Sequence, residues 1–139
     1  MNKNISDLEK ILKYKFKNQR LLDEAITHSS IKKIKNINYE RLEFLGDRIL
    51  GFIISNYIFN KFPNSSEGEL NLIFQKYTNE NFLSLVALEL NLDNFVKVQR
   101  GDSLEKNTSI MADLMESIIA AIFIDSDLIT TTNFVKRKI

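Results

Sequence analysis

The stretch NYERLEFLGDRIL, residues 38 to 50, sets Glu40, Glu43 and Asp47 three and four residues apart among leucines, a phenylalanine and an isoleucine. At about 100° per residue on a helix, the three carboxylates share one side, while Leu42, Leu45, Ile49, Phe52 and Ile53 form a broad core-facing side. Solvated helix faces commonly pair acids with bases at i,i+4, yet this stripe holds no base. Further along, Leu50 and Ile54 turn the acid side apolar, so the helix is expected to be enclosed on more than one side, with the acids at the mouth of that enclosure. The stretch SIMADLMESIIAAIFID, residues 109 to 125, repeats the device: Asp113 and Glu116 lie together with Ala120, opposite Met111, Leu114, Met115, Ile118 and Ile122. If these two helices pack, Glu43, Asp47, Asp113 and Glu116 converge. Four carboxylates without histidine or cysteine make a hard-oxygen site that selects Mg²⁺, with Mn²⁺ able to substitute. The matching chemistry is metal-assisted hydrolysis of a phosphodiester or phosphate. Spacing alone leaves a second account open, in which the acids are a solvated face or complements to the helix dipole.

The elements that must position these acids read as helices separated by short polar breaks. Ser6 and Glu9 form a capping-box pattern before LEKILKYKF, and Asn18 can cap RLLDEAITHSS. Residues 31 to 38 read as a basic, polar loop, followed by a long apolar helix from about 39 to 60 that stops near Pro63. Ser66 with Glu69 makes a second capping box, and Thr78 can cap a helix through NENFLSLVALEL. Residues 99 to 109 form the longest polar break, and the chain ends in a weaker helix, LITTTNFVKRKI, whose basic end suits a C-terminal dipole.

The whole-chain composition narrows the class. At 139 residues, with 44% hydrophobic and 27% charged content, the chain fits one domain with one core. One proline and four glycines leave little material for sandwich or barrel turns, so an all-α fold is expected. Zero cysteines exclude disulfides, thiolate metal sites and cysteine nucleophiles. No apolar run has the length of a membrane span and the start lacks a signal-peptide pattern, which points to the cytoplasm and to no membrane partner. A net charge of +1 gives no strong overall field, so a polyanion would be held by local patches or metal ions. A di-iron carboxylate bundle wants Glu-x-x-His pairs, and the single histidine, His28, has no glutamate three residues before it. His28, near the end of its helix, reads as a packed or capping residue, and neither Ser29 nor Ser30 has a triad pattern around it.

ERLEFLGD at 40 to 47 resembles the signature of the ribonuclease III endonuclease domain. THSS at 27 to 30, FPNSSEGEL at 62 to 70 and ADLMESIIAAIFIDS at 112 to 126 resemble further blocks of that family, in order and at the right spacing, so the similarity covers nearly the whole chain. The resemblance implies an all-helical bundle that forms a homodimer and cleaves double-stranded RNA with Mg²⁺, without an organic cofactor. Cleavage of that kind leaves 5′-phosphate and 3′-hydroxyl ends, and the implied role is processing of ribosomal or messenger RNA. Position by position, Glu43, Asp47, Asp113 and Glu116 match the metal-binding acids, with Asp47 and Glu116 at the centre of catalysis. Glu40 matches a supporting acid, Glu67 matches an acid near the dimer cleft, and Phe44 matches a residue that plugs into a socket on the partner subunit. Arg48 departs from the family pattern, where many members carry a small residue, and could reach a phosphate or solvent; Ser117 and Ala120 stand where alanine and glycine are common. The chain reads as one endonuclease domain over residues 1 to 139 that stops at KRKI, where the bacterial enzyme continues into a double-stranded-RNA-binding domain. With only scattered bases such as Lys32, Lys33, Lys35, Lys97, Arg100 and the run at 136 to 138, RNA binding is expected to be weak and salt-sensitive. Recognition should rest on duplex shape, 2′-hydroxyls and backbone. A non-catalytic RNA-binding or assembly module with the same fold is the alternative, and the intact set of acids separates the two.

Overall fold

A computed structural model describes residues 4–31, 37–99 and 107–139. The basic residues Lys32, Lys33, Lys35 and Arg100, and most of the two polar segments expected around them, lie outside the described residues. The described chain is all-α, as its composition implies. Seven helices run in the order α1 (Ile5–Leu12), α2 (Gln19–Ala25), α3 (Glu40–Lys61), α4 (Glu67–Thr78), α5 (Glu80–Glu89), α6 (Thr108–Asp125) and α7 (Leu128–Lys138), with a 3₁₀ turn at Leu92–Asn94. An isolated parallel bridge, Thr27 to Lys97, is the one β-type pairing among the described residues.

α6 is the centre of the bundle. From Ile110 to Ile122 every residue except Asp113 is buried, so this helix is apolar all round rather than amphipathic. It packs most extensively against α3, then against α5, with α2 and α7 closing its remaining sides. The closest approach is at Gly46: a Cβ there would lie 1.7 Å from the backbone oxygen of Glu116. Only glycine permits that contact, and it brings the two acid-bearing helices together at the level of their carboxylates. The same contact rotates the buried arc of α3 toward its acid side. Leu42, Gly46, Leu50 and Ile54 are buried, while Phe52, expected in the core, falls beyond the edge of that arc and is 57% exposed.

Several helix ends differ from expectation. Asn4, not Ser6, caps α1 by accepting from the Asp7 N–H, because the Glu9 carboxylate is buried and accepts instead from the Phe16 N–H. Asn18 caps α2 as expected, but this helix stops at Ala25, leaving Thr27 and His28 to pair with the Lys97 strand-like segment. The Ser66–Glu69 capping box opens α4. Asn79, one residue beyond Thr78, caps α5, since the Thr78 hydroxyl donates back to the Phe74 carbonyl and closes α4. Two tertiary ties fix α6. Buried Ser117 donates to the carbonyl of Ala25 at 2.6 Å, and Asp125 accepts from the Tyr14 hydroxyl at 2.6 Å and from the Lys17 and Asn18 N–H groups.

Candidate metal centre

Glu43 enters the site from the first turn of α3, a position where a carboxylate also complements the helix dipole. That turn carries no side-chain cap from Tyr39; the Asn38 side chain accepts the Glu40 N–H instead, at 2.9 Å. Asp113 and Glu116 come from α6, three residues apart, which puts both on the side that Gly46 lets α3 approach. One carboxylate oxygen each from Glu43, Asp113 and Glu116 lies within 4.8 Å of the others. The acids thus do converge across the two helices, and the solvated-face account fails for Glu116, which is 7% exposed.

Asp47 stands at the edge of this triad. It lies close enough to Glu116 to perturb its carboxyl, while its Oδ2 accepts from Arg48 at 3.1 Å. Glu40 is exposed in the first turn of α3, outside the triad. Glu67 lies elsewhere, on the rim of a groove of ≈ 260 Å³ with Ser55, Ile58, Phe59, Leu70, Asn71 and Phe74. Ser55 is twelve residues beyond Glu43 on α3, about 18 Å along the helix, so Glu67 does not join the cluster within one protomer. Phe44 is 59% exposed, with the Arg48 guanidinium stacked 4.0 Å from its ring centroid. His28 is packed rather than catalytic in geometry: Nδ1 accepts the Ser30 N–H at 3.0 Å, and the ring meets Tyr39 edge-on at 5.5 Å. It lies after α2 rather than within it.

Two neighbours of the acids escaped the pattern of charges. Tyr39 is 4% exposed, has its phenol beside Asp113, and is held by its own N–H to the Thr27 carbonyl at 2.9 Å. Glu80, at the start of α5, adds a further negative charge facing Asp113. The adjacency of Tyr39 to Glu40 was the only sequence signal for the first, and nothing short of the α5–α6 packing signals the second.

The electrostatics follow from burial and the crowding of like charges. Burial, then the hydrogen bond and charge of Asp47, then Glu43 and Asp113 push the Glu116 carboxyl up to about 9. Burial and the facing Glu43 raise Asp113 well above the ordinary carboxylate range, with Glu80 adding to the effect and Tyr39 opposing it. Burial, followed by the charges of Asp113, Glu43 and Glu40, raises the Tyr39 phenol. Crowded carboxylates are costly unless a cation neutralises them. An all-oxygen donor set with no nitrogen or sulfur fits a hard divalent ion, so the residues present fit a divalent metal.

Comparisons with known proteins bear on the fold and the family. The family profile described as Ribonuclease-III-like matches residues 18–139. The chain is 41% identical over 135 residues to ribonuclease 3 of Aliarcobacter butzleri, covering 95% of this chain and 59% of that protein. It is 37% identical to ribonuclease 3 of Clostridium perfringens, covering 97% of this chain and again 59% of the relative. The chain therefore spans rather more than half the length of these relatives. Among solved structures, the nuclease domain of ribonuclease III from Campylobacter jejuni superposes with a TM-score of 0.91 at 36% identity, over 96% of this chain and 94% of that one. That structure was described for flexibility in the region of the domain involved in dimer formation.

Proposed function

The chain belongs to the ribonuclease-III-like family, and from that premise we propose that it is a Mg²⁺-dependent endonuclease domain that cleaves double-stranded RNA as a homodimer. The observation that carries this reading is the convergence of Glu43, Asp113 and Glu116 within 4.8 Å on two helices locked together at Gly46. A bound divalent ion supplies Lewis-acid polarisation of a phosphodiester and a more acidic water, the chemistry that hydrolysis of that bond requires. The three carboxylates would hold it through their oxygens, with buried Glu116 in its ionised form. Asp47 stands beside Glu116 and Tyr39 beside Asp113, where they line the site. Both are in place before substrate arrives, so the ligand set needs no reorganisation in the reaction.

The dimer reading rests on an apolar face left open by the protomer. Phe44, Phe52 and Phe59 fall within an arc of about 80° on α3 and are 57–69% exposed. Nearby α4 has no buried residue and exposes Leu72. Large apolar side chains left exposed along one helix face suit an interaction site. In the proposed dimer Phe44 docks on the partner, Glu67 lies near the shared cleft, and two acid clusters serve the two RNA strands. Residues 1 to 139 form one catalytic domain in this reading. The products carry 5′-phosphate and 3′-hydroxyl ends, and ribosomal or messenger precursors are the substrates. No helix among the described residues is long and apolar enough to cross a membrane, which suits a cytoplasmic site of action.

Duplex contact by the domain alone is weak in this reading. Lys97 pairs with Asp23, and Lys138 donates to the Ile11 carbonyl, which leaves these two bases less available to phosphate. The test is incubation of long double-stranded RNA at low salt with Mg²⁺ or Ca²⁺, with end-group analysis of the products. Mg²⁺-dependent scission that leaves 5′-phosphates supports the reading. Binding or dimerisation without scission, even with Mn²⁺, overturns it in favour of a non-catalytic module.

A further inference from the structure

Residues 27–30 and 97–99 pair side by side and hold the His28 ring in one orientation. The His28 N–H donates to the Lys97 carbonyl at 2.9 Å, and the Lys97 N–H donates to the Ile26 carbonyl at 2.7 Å. On the ring, Nδ1 accepts the Ser30 N–H at 3.0 Å and lies 2.8 Å from the Ser30 hydroxyl, which in turn accepts the Gln99 N–H at 2.9 Å. A backbone N–H can only donate, so Nδ1 presents its lone pair and the proton of the neutral ring sits on Nε2. Burial favours that neutral form, with the charge of Glu40 opposing it. Nε2 has no partner among the described residues, and no unpartnered side-chain nitrogen is buried there, so this N–H opens to solvent.

The exposed donor lies near the metal centre. The His28 ring meets Tyr39 edge-on at 5.5 Å, and the Tyr39 phenol stands beside Asp113, so one aromatic ring separates His28 from the metal-binding carboxylates. Glu40 follows Tyr39 at the start of α3, is exposed, and is near enough for its charge to act on the His28 ring. A neutral donor beside a carboxylate acceptor suits a group that both accepts and donates. A ribose 2′-hydroxyl does both, whereas a phosphate oxygen would meet Glu40 as a like charge. Resting on the double-stranded-RNA reading above, we propose that His28 is a substrate-contacting residue whose Nε2–H donates to a ribose 2′-hydroxyl beside the acid cluster, that hydroxyl donating in turn to Glu40. His28 then helps to tell RNA from DNA and takes no part in holding the metal.

The experiment measures duplex binding at low salt with Ca²⁺ in place of Mg²⁺, on one double-stranded RNA and on its 2′-fluoro counterpart, which keeps A-form geometry but has no hydroxyl hydrogen. Two substitutions separate contact from support. His28→Asn keeps an acceptor near the Nδ1 position and loses the Nε2 donor; His28→Gln keeps an N–H near the Nε2 position and loses that acceptor. The inference expects His28→Asn to bind the RNA duplex about fivefold more weakly than wild type, the worth of one hydrogen bond, with binding of the 2′-fluoro duplex and thermal stability unchanged. It expects His28→Gln to melt at a lower temperature yet to bind the RNA duplex as wild type does. Mn²⁺ binding should match wild type in both variants. Wild-type RNA affinity in His28→Asn, equal weakening on the two duplexes, weakened RNA binding by folded His28→Gln, or weakened Mn²⁺ binding in either variant overturns the inference. A wild type that neither binds nor cuts the RNA duplex, with Ca²⁺ or with Mg²⁺, overturns the double-stranded-RNA reading itself and this inference with it.

Discussion

Replacing Gly46 with alanine tests the contact that builds the site. The added Cβ would sit 1.7 Å from the Glu116 carbonyl oxygen and 2.5 Å from its carbon, both backbone atoms that cannot rotate away. Relief requires α3 and α6 to part by roughly 1.7 Å, the shift that brings the Cβ to an ordinary contact distance. Overpacking of this kind costs about 3 kcal/mol, the upper end of its usual range. Alanine recovers about 1 kcal/mol of helix propensity. The net loss of about 2 kcal/mol lowers the melting temperature by about 7 °C for a domain of this length. The same displacement moves Glu43 away from Asp113 and Glu116, and a misplacement near 1 Å in a preorganised site costs about a hundredfold in rate. Thermal melts and Mn²⁺ titration of Gly46→Ala should therefore show a less stable protein with much weaker metal binding. A variant that melts within about 2 °C of wild type and binds Mn²⁺ normally would refute the close helix approach.

Other perturbations follow from the same contacts. Glu116, raised from an ordinary 4.5 to about 9, binds its proton more tightly folded than unfolded, so metal-free protein should lose stability as pH rises from about 4.5 to 9. Divalent ions should reverse that trend, and their affinity should rise with pH as a proton is released on binding; melts at several pH values with EDTA or Mg²⁺ check both. Phe44→Ala should leave the protomer's fold intact but weaken self-association by about thirtyfold, a typical loss for a central aromatic anchor, measured by sedimentation equilibrium. Asp125→Ala removes the acceptor of the Tyr14 hydroxyl and of the Lys17 and Asn18 N–H groups, and should cost about 2 kcal/mol by denaturant titration with metal affinity unchanged.

The acids that meet in the fold were legible because helical spacing is local: Glu43 on one helix and Asp113 and Glu116 on the other each face their partner by periodicity alone. What periodicity cannot say is how two helices seventy residues apart rotate against each other. Gly46 decides that, and its importance is visible only once the Glu116 backbone is found against it. The resulting rotation is why Phe52 is exposed, whereas the burial of Leu50 and Ile54 on the acid side follows from their own apolar character. Tyr39 and Glu80 reach the site through packing of other segments, so no spacing rule points to them. Cap positions were missed by one or two residues where two polar side chains compete: Asn79 and Thr78 are neighbours, and the one whose hydroxyl turns back to close α4 leaves the other to open α5. The single histidine packs edge-on against Tyr39, and the helix expected to carry it ends three residues earlier.

Crystals grown with Mn²⁺ and measured at the manganese absorption edge test the central claim most directly, because the anomalous signal locates the ion without reference to activity. The account predicts a peak in bonding contact with oxygens of Glu43, Asp113 and Glu116, absent from Glu116→Gln crystals. A peak coordinated elsewhere, or no peak beside those three carboxylates at saturating Mn²⁺, would contradict it.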